Sequence, residues 1–156
     1  MTTPRRRDTR PLEGTSGARR VYLAGPLFSD AERQFNLMLA TRLETAGYSV
    51  FLPQRDVPQD TREAGYPARL FQADVQGLQE ADVIVAVCDG IPMDDGTAWE
   101  IGFAWARGVP IIGLRTDTRA VGPQERINLM IQESLTRLVD SIDSVLQELG
   151  RLLPSA

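Results

Sequence analysis

The sequence contains no histidine and no lysine; all 17 of its basic residues are arginine, set against 21 acidic ones. Without histidine, Ser-His-Asp and Cys-His arrangements are excluded, as are zinc sites built on imidazole. Without lysine there is no Schiff base and no phosphate-loop lysine of the Walker type. A single cysteine, Cys88, rules out an internal disulfide and fits a reducing compartment, so the cytoplasm is the expected location. Long apolar runs are missing too: the stretch Val83 to Cys88 is far too short to cross a bilayer, and no membrane partner is expected. Covalent or acid–base chemistry must therefore rest on Asp, Glu, Tyr, Ser, Thr or Cys, and carboxylates are the leading candidates.

What is present suits one ordinary domain. A chain of 156 residues with 42% hydrophobic content can bury about two-thirds of its unfolded surface without disulfides or a structural metal. Charge is unevenly spread. Residues 1–20 hold six arginines against Asp8 and Glu13, a net of +4, whereas the rest carries 11 basic and 19 acidic residues, a net of −8. The acidic body argues against a nucleic-acid polymer as partner. Residues 1–19, with Pro, Gly, Ser and Thr among the arginines and no apolar stretch behind them, are expected to be a disordered basic tail rather than a leader. Residues 20–156 are expected to form the folded domain.

From Arg20 onward strand and helix patterns alternate. Val21 to Ala24 reads as a strand stopped by Gly25-Pro26. Ser29 or Asp30 then caps a helix with Phe35, Leu39 and Leu43 at helical spacing up to Gly47. Tyr48 to Leu52 reads as a second strand, and the polar stretch from Gln54 to Gly65 as a loop. Pro67 opens a helix to about Ala81. Val83 to Val87 is a continuous apolar run, typical of a strand buried on both faces. A loop from Asp89 to Asp95 precedes a helix from about Gly96 to Arg107, closed by Gly108, and Pro110 to Leu114 gives strand four. A helix at Asn128 to Ser134, a strand near Thr136 to Val139 and a helix from Ser141 follow. The class is α/β: a flavodoxin-like, doubly wound, five-stranded parallel sheet, order 2-1-3-4-5, with helices on both faces.

Ligands of such sheets bind beyond the carboxyl ends of the strands. Three segments should meet there: Gly25 to Phe28, Gln54 to Asp56, and Asp89 to Glu100. The last carries Asp89, Asp94, Asp95 and Glu100 within one loop and the first turns of a helix. Asp94 or Asp95 as a helix cap, and Glu100 as a residue favoured by the helix dipole, explain part of this. They do not explain a carboxylate flanked by Trp99, Ile101 and Phe103, which needs partners or a task. The simpler alternatives are a solvated helix face for Asp74, a core aromatic for Tyr22, a helix cap for Asn128 and a small buried hydrophobe for Cys88.

The order Tyr22-Leu23-Ala24-Gly25-Pro26-Leu27-Phe28, Asp74, Asp94-Asp95-Gly96-Thr97-Ala98-Trp99-Glu100-Ile101-Gly102 and Asn128-Leu129-Met130 resembles the nucleoside 2-deoxyribosyltransferase family, across about residues 22–138. The resemblance implies transfer of a 2-deoxyribosyl group between nucleobases, with no cofactor and no metal. Glu100 then matches the nucleophile that attacks C1′ of the sugar, and Tyr22 the hydroxyl that holds it. Asp74 and Asp94 match aspartates associated with base recognition and protonation of the leaving base. Asn128 and Met130 match a segment that completes a neighbouring subunit's pocket, which implies a homo-oligomer, at least a dimer, with shared active sites. Substrate contacts are further expected from Gly25, Phe28, Gln54, Asp56, Asp89 and Gly96. The implied small-molecule partners are 2′-deoxynucleosides and free nucleobases.

The residue types suit that chemistry. Loss of a nucleobase passes through an oxocarbenium-like transition state that one carboxylate can stabilise and trap while a second protonates the base. Deoxynucleoside-monophosphate N-hydrolases share the implied fold and glutamate, with a glycine- and serine-rich loop after strand one expected to cradle the 5′-phosphate. Here that loop is Gly25-Pro26-Leu27-Phe28-Ser29, which favours a free 5′-hydroxyl. Hydrolysis, and a nucleoside-binding module without turnover, stand as the alternatives. A magnesium-binding receiver is disfavoured, since the acidic residues do not cluster after strand one and the lysine it needs is absent.

Overall fold

The computed structural model describes residues 19–57 and 64–154. Strand β1 spans Arg20–Ala24 and is followed by α1, Asp30–Thr45. Then come β2 (Ser49–Phe51), a single helical turn α2 (Pro53–Asp56), and α3 (Tyr66–Glu80). The second half runs β3 (Val83–Val87), α4 (Asp95–Arg107), β4 (Ile111–Leu114), α5 (Leu129–Gln132), β5 (Arg137–Val139) and α6 (Ile142–Leu152). All five strands are parallel, in the order β2-β1-β3-β4-β5, as the sequence pattern implies.

Strand composition dictates the layers. Successive side chains of a strand point to opposite faces, so Val21, Leu23, Val83, Val85, Ile112 and Leu114 share one face. Leu39, Ala40 and Leu43 of α1 and Val145 and Leu149 of α6 close over them. The intervening residues Tyr22, Ala24, Ile84, Ala86 and Ile111 face Leu78 of α3 and Ile101 and Ala104 of α4. The all-apolar β3 is buried along its whole length, at the centre of both layers. Among the described residues no helix is long and apolar enough to cross a membrane.

Two segments differ from the sequence expectation. The stretch read as loop from Gln54 begins as helix: Pro53 supplies a preset first-turn φ, and the Asp56 carboxylate accepts from Leu52 N at 2.8 Å, holding the turn closed. Residues 58–63 of that loop, and 1–18 of the basic tail, lie outside the described residues. Helix α5 is one turn only. Leu135 already folds back over Gly113, and Thr136 N donates to Ile111 O at 2.8 Å, so the sheet takes up the chain where a longer helix was expected.

Candidate active site

Three of the expected residues converge at the helix-covered face of β1. Tyr22, fully buried, projects from the middle of that strand, and its hydroxyl donates to Glu100 Oε1 at 2.5 Å. Glu100 lies half-buried on the second turn of α4, and Asp74 half-buried on the inward face of α3. Asp74 Oδ1 is shielded from solvent and has no hydrogen-bond partner. A buried polar atom without a partner is costly in a folded protein and marks a place where a ligand can supply the missing bond.

The electrostatics follow from burial. Loss of solvent pushes Glu100 up to about 7; the Tyr22 hydrogen bond pulls it down, and the charges of Asp74 and Asp94 add to the rise. Burial likewise lifts Asp74 to about 6. The Tyr22 phenol is driven far above its ordinary range, first by burial and then by Glu100, so it stays protonated and donates. The result is two carboxyls titrating near neutrality beside a fixed donor, a set suited to one nucleophile and one proton donor.

Asp94 caps α4: its Oδ2 accepts from Thr97 N at 2.7 Å and from Thr97 Oγ1 at 2.6 Å. Its charge nevertheless acts on Glu100, so the cap and an electrostatic role coexist. Gly96 lies exposed in the first turn of that helix. Asp89 is spent on the neighbouring loop. Its carboxylate accepts from Thr116 N at 2.7 Å, Asp117 N at 2.8 Å and Thr116 Oγ1 at 2.5 Å, while Gly90 N donates back to Asp117 at 3.3 Å. This clasp joins the ends of β3 and β4. Among the described residues no group of three or more His, Cys, Asp or Glu is placed to hold a metal ion.

The remaining expected residues are placed as follows. Gly25 packs where a Cβ would come within 3.2 Å of Asn36 Oδ1 and of Val87 Cβ. Phe28 is 76% exposed just before α1. Gln54 donates to Arg33 O at 2.9 Å and accepts from Asn36 at 3.1 Å, while Asp56 is bound to Leu52 N and to Arg55. Both serve the α2 turn. Asn128 caps α5 by accepting from Met130 N at 2.9 Å, and Met130 itself is 80% exposed.

Two residues of the surrounding frame escaped the sequence reading. Asn36 is buried on α1, donating to Pro26 O and to Gln54, and so ties the turns after β1 and β2 together. Its signal was an amide inside the apolar stripe of Leu39, Ala40 and Leu43. Arg115, buried at the end of β4, donates to Cys88 O, Gly90 O and Arg119 O. An arginine directly after four buried strand residues was its signal.

The site also has an apolar border. Trp99, half-exposed, stacks on Phe103 at 5.3 Å and meets the edge of Phe71 at 5.6 Å, with the Arg107 guanidinium 5.6 Å over Phe103.

The model of the family described as nucleoside 2-deoxyribosyltransferase matches residues 21–141. A protein of Thermofilum pendens that carries the name 2′-deoxynucleoside 5′-phosphate N-hydrolase 1 is 30% identical over 141 residues, 88% of this chain and 96% of that one. Among solved structures, a conserved protein of Enterococcus faecalis is similar at TM-score 0.78 and 28% identity, covering 88% of this chain and all of its own. A 2-deoxyribosyltransferase of Bacillus psychrosaccharolyticus, at TM-score 0.74 and 24% identity over 86% and 96% of the two chains, shares the fold. The chain therefore belongs to the nucleoside 2-deoxyribosyltransferase family, whose enzymes work at the N-glycosidic bond of small nucleoside-type substrates.

Proposed function

We propose that this enzyme transfers the 2-deoxyribosyl group between nucleobases through a covalent glutamyl-deoxyribose, with net retention at C1′. The observation that carries the reading is the half-buried Glu100 held by the Tyr22 hydroxyl, with Asp74, whose Oδ1 is buried without a partner, close enough to act on both. Glu100 attacks C1′ as the bond to the base nitrogen breaks, and that nitrogen takes a proton from Asp74. A second base then attacks C1′, its N–H proton passes to Asp74, and the ester bond returns its electrons to Glu100. Two displacements at one carbon restore the starting configuration. General-acid help from Asp74 is worth about a hundred- to ten-thousand-fold. Asp94 contributes to recognition of the base, and its negative charge keeps the Glu100 carboxyl high until substrate enters.

The name of the Thermofilum relative favours a second reading, hydrolysis of a 5′-monophosphate. The turn after β1 supports the nucleoside instead. Helix N-termini after the first strand of such folds are ready phosphate sites. In this chain Pro26 has no N–H, while Phe28 N and Ser29 N both donate to Glu32 Oε2, at 3.0 and 2.7 Å. Those hydrogen bonds hold the Glu32 carboxyl below its usual range, so an anion already sits where the phosphate would be received.

Leu129, Met130, Phe71 and Trp99 are exposed, and α5, which carries Leu129 and Met130, packs against α4, which carries Trp99 and Glu100. We take this surface as the seat of a second copy, with Asn128 and Met130 entering the neighbour's pocket. Incubation with deoxyinosine, with and without adenine, tests the reaction. Deoxyadenosine formed only with adenine supports transfer; hypoxanthine released regardless of adenine, and faster from deoxyinosine monophosphate, establishes the second reading.

A further inference from the structure

The inference rests on the reading of Glu100 as the reacting carboxylate and concerns what aims Tyr22 at it. Tyr22 and Phe51 are partners across the β1–β2 register, so their side chains stand on one face of the sheet. Their rings stack with centroids 5.4 Å apart and planes 18° from parallel. Phe51 ends an edge strand and meets α3 at Gly77. A Cβ built on Gly77 would lie 2.8 Å from Phe51 Cε1 and 2.9 Å from Cδ1, closer than real contacts allow. Glycine inside a helix costs about 1 kcal/mol relative to alanine, so its presence in the interior of α3 calls for a reason, and the ring is that reason. One turn earlier on the same face of α3 stands Asp74.

We propose that Phe51 is a positioning residue for the Tyr22–Glu100 pair, and that Gly77 admits its ring. The stacked ring gives Tyr22 a wall on one side. The hydrogen bond to Glu100 fixes the far end of the phenol. With Phe51 shortened, Tyr22 can tilt, and the 2.5 Å contact lengthens. A cavity of about 240 Å³ lined by Phe51, Gly77, Val21, Val50, Arg20 and Glu80 adjoins the ring. A methyl added at Gly77 therefore drives the ring into open space and away from Tyr22, and lifts Asp74 with α3.

The test compares wild type, Phe51→Leu, Gly77→Ala, Tyr22→Phe and the Phe51→Leu/Tyr22→Phe double variant, each checked for its melting transition. Small misplacement of reacting groups costs about ten- to a hundredfold, so Phe51→Leu is expected to lower kcat by about tenfold with KM within about twofold. In the Tyr22→Phe background the same change is expected to cost less than about twofold, because the target of the positioning is gone. Fully multiplicative losses, or an unchanged kcat in Phe51→Leu, would overturn the proposal. Gly77→Ala reads the same contact from the helix side should Phe51→Leu fail to fold. Carboxyl carbon resonances give a readout that needs no turnover: Phe51→Leu should raise the Glu100 titration as Tyr22→Phe does, and no shift would overturn the positioning. A wild type inactive on every deoxynucleoside and deoxynucleotide would instead sink the proposed function, leaving the titration to judge the positioning by itself.

Discussion

The Tyr22 hydroxyl reaches Glu100 across 78 positions of sequence and donates to it at 2.5 Å. That one bond couples a core strand to the candidate nucleophile, and it works against burial, which pushes Glu100 up to about 7. Tyr22→Phe removes the one influence that lowers the Glu100 titration. Glu100 is the higher-titrating of the two carboxyls, so the alkaline limb of kcat/KM is expected to move to higher pH, with kcat reduced by about a hundredfold, as for loss of a catalytic donor. A pH–rate profile of the variant checks both. A limb that stays in place would mean that Tyr22 does not hold the reacting carboxylate.

Under the proposed mechanism, turnover needs Glu100 ionised and Asp74 protonated as the proton donor. With the two lifted to about 7 and about 6, kcat/KM is expected to follow a bell with its maximum between those values. Both limbs belong to the coupled pair. Asp74→Asn should abolish the alkaline limb while keeping the acid one.

The same burial bears on stability. Because Glu100 titrates higher in the fold than in the unfolded chain, the fold binds more protons between about 4.5 and about 7. Its contribution is full below the unfolded value and is lost as pH rises through about 7. Glu100→Gln is thus expected to melt higher than wild type at pH 8, with the advantage shrinking or reversing at pH 4. Parallel melting curves across that range decide it.

Asp94 serves α4 and the candidate site at once, and two substitutions separate these roles. Asparagine also caps helices, so Asp94→Asn should keep the melting temperature, whereas Asp94→Ala should lose about 1 kcal/mol. Both remove the charge that raises Glu100, and both should impair turnover if Asp94 serves the base. Activity retained in Asp94→Asn would leave Asp94 a cap alone.

The fold was legible because its signals are local. Val83 to Val87 reads as a doubly buried strand; of the two cap candidates Ser29 and Asp30 the structure uses Ser29, and the helix expected from about Ser141 begins at Ile142 with Ser141 as its cap. What stayed hidden depends on contacts between distant segments. Nothing near Phe51 in sequence says that it stacks on Tyr22, and nothing near Gly77 says that a ring needs its space. Gln54 and Asp56 lie after β2 as expected, but their neighbours Asn36 and Arg55 draw them into the α2 turn. The Asp89 carboxylate is likewise taken up by the loop after β4, a pairing that spacing alone does not reveal.

If Asn128 and Met130 complete a partner's pocket, two inactive proteins should rescue each other. Mixing Glu100→Ala with an Asn128→Ala/Met130→Ala variant is expected to restore part of the turnover after subunit exchange. No recovery, with exchange verified by mass, would place the whole site within one chain.

The central claim is that Glu100 becomes covalently bound to the sugar, and rapid acid quench of enzyme turning over deoxyinosine, followed by peptide mapping, tests it most directly. The expected result is a mass gain of one deoxyribosyl unit on the peptide that holds Glu100, absent from Glu100→Ala. An adduct on another residue, or full turnover by Glu100→Ala, would contradict it.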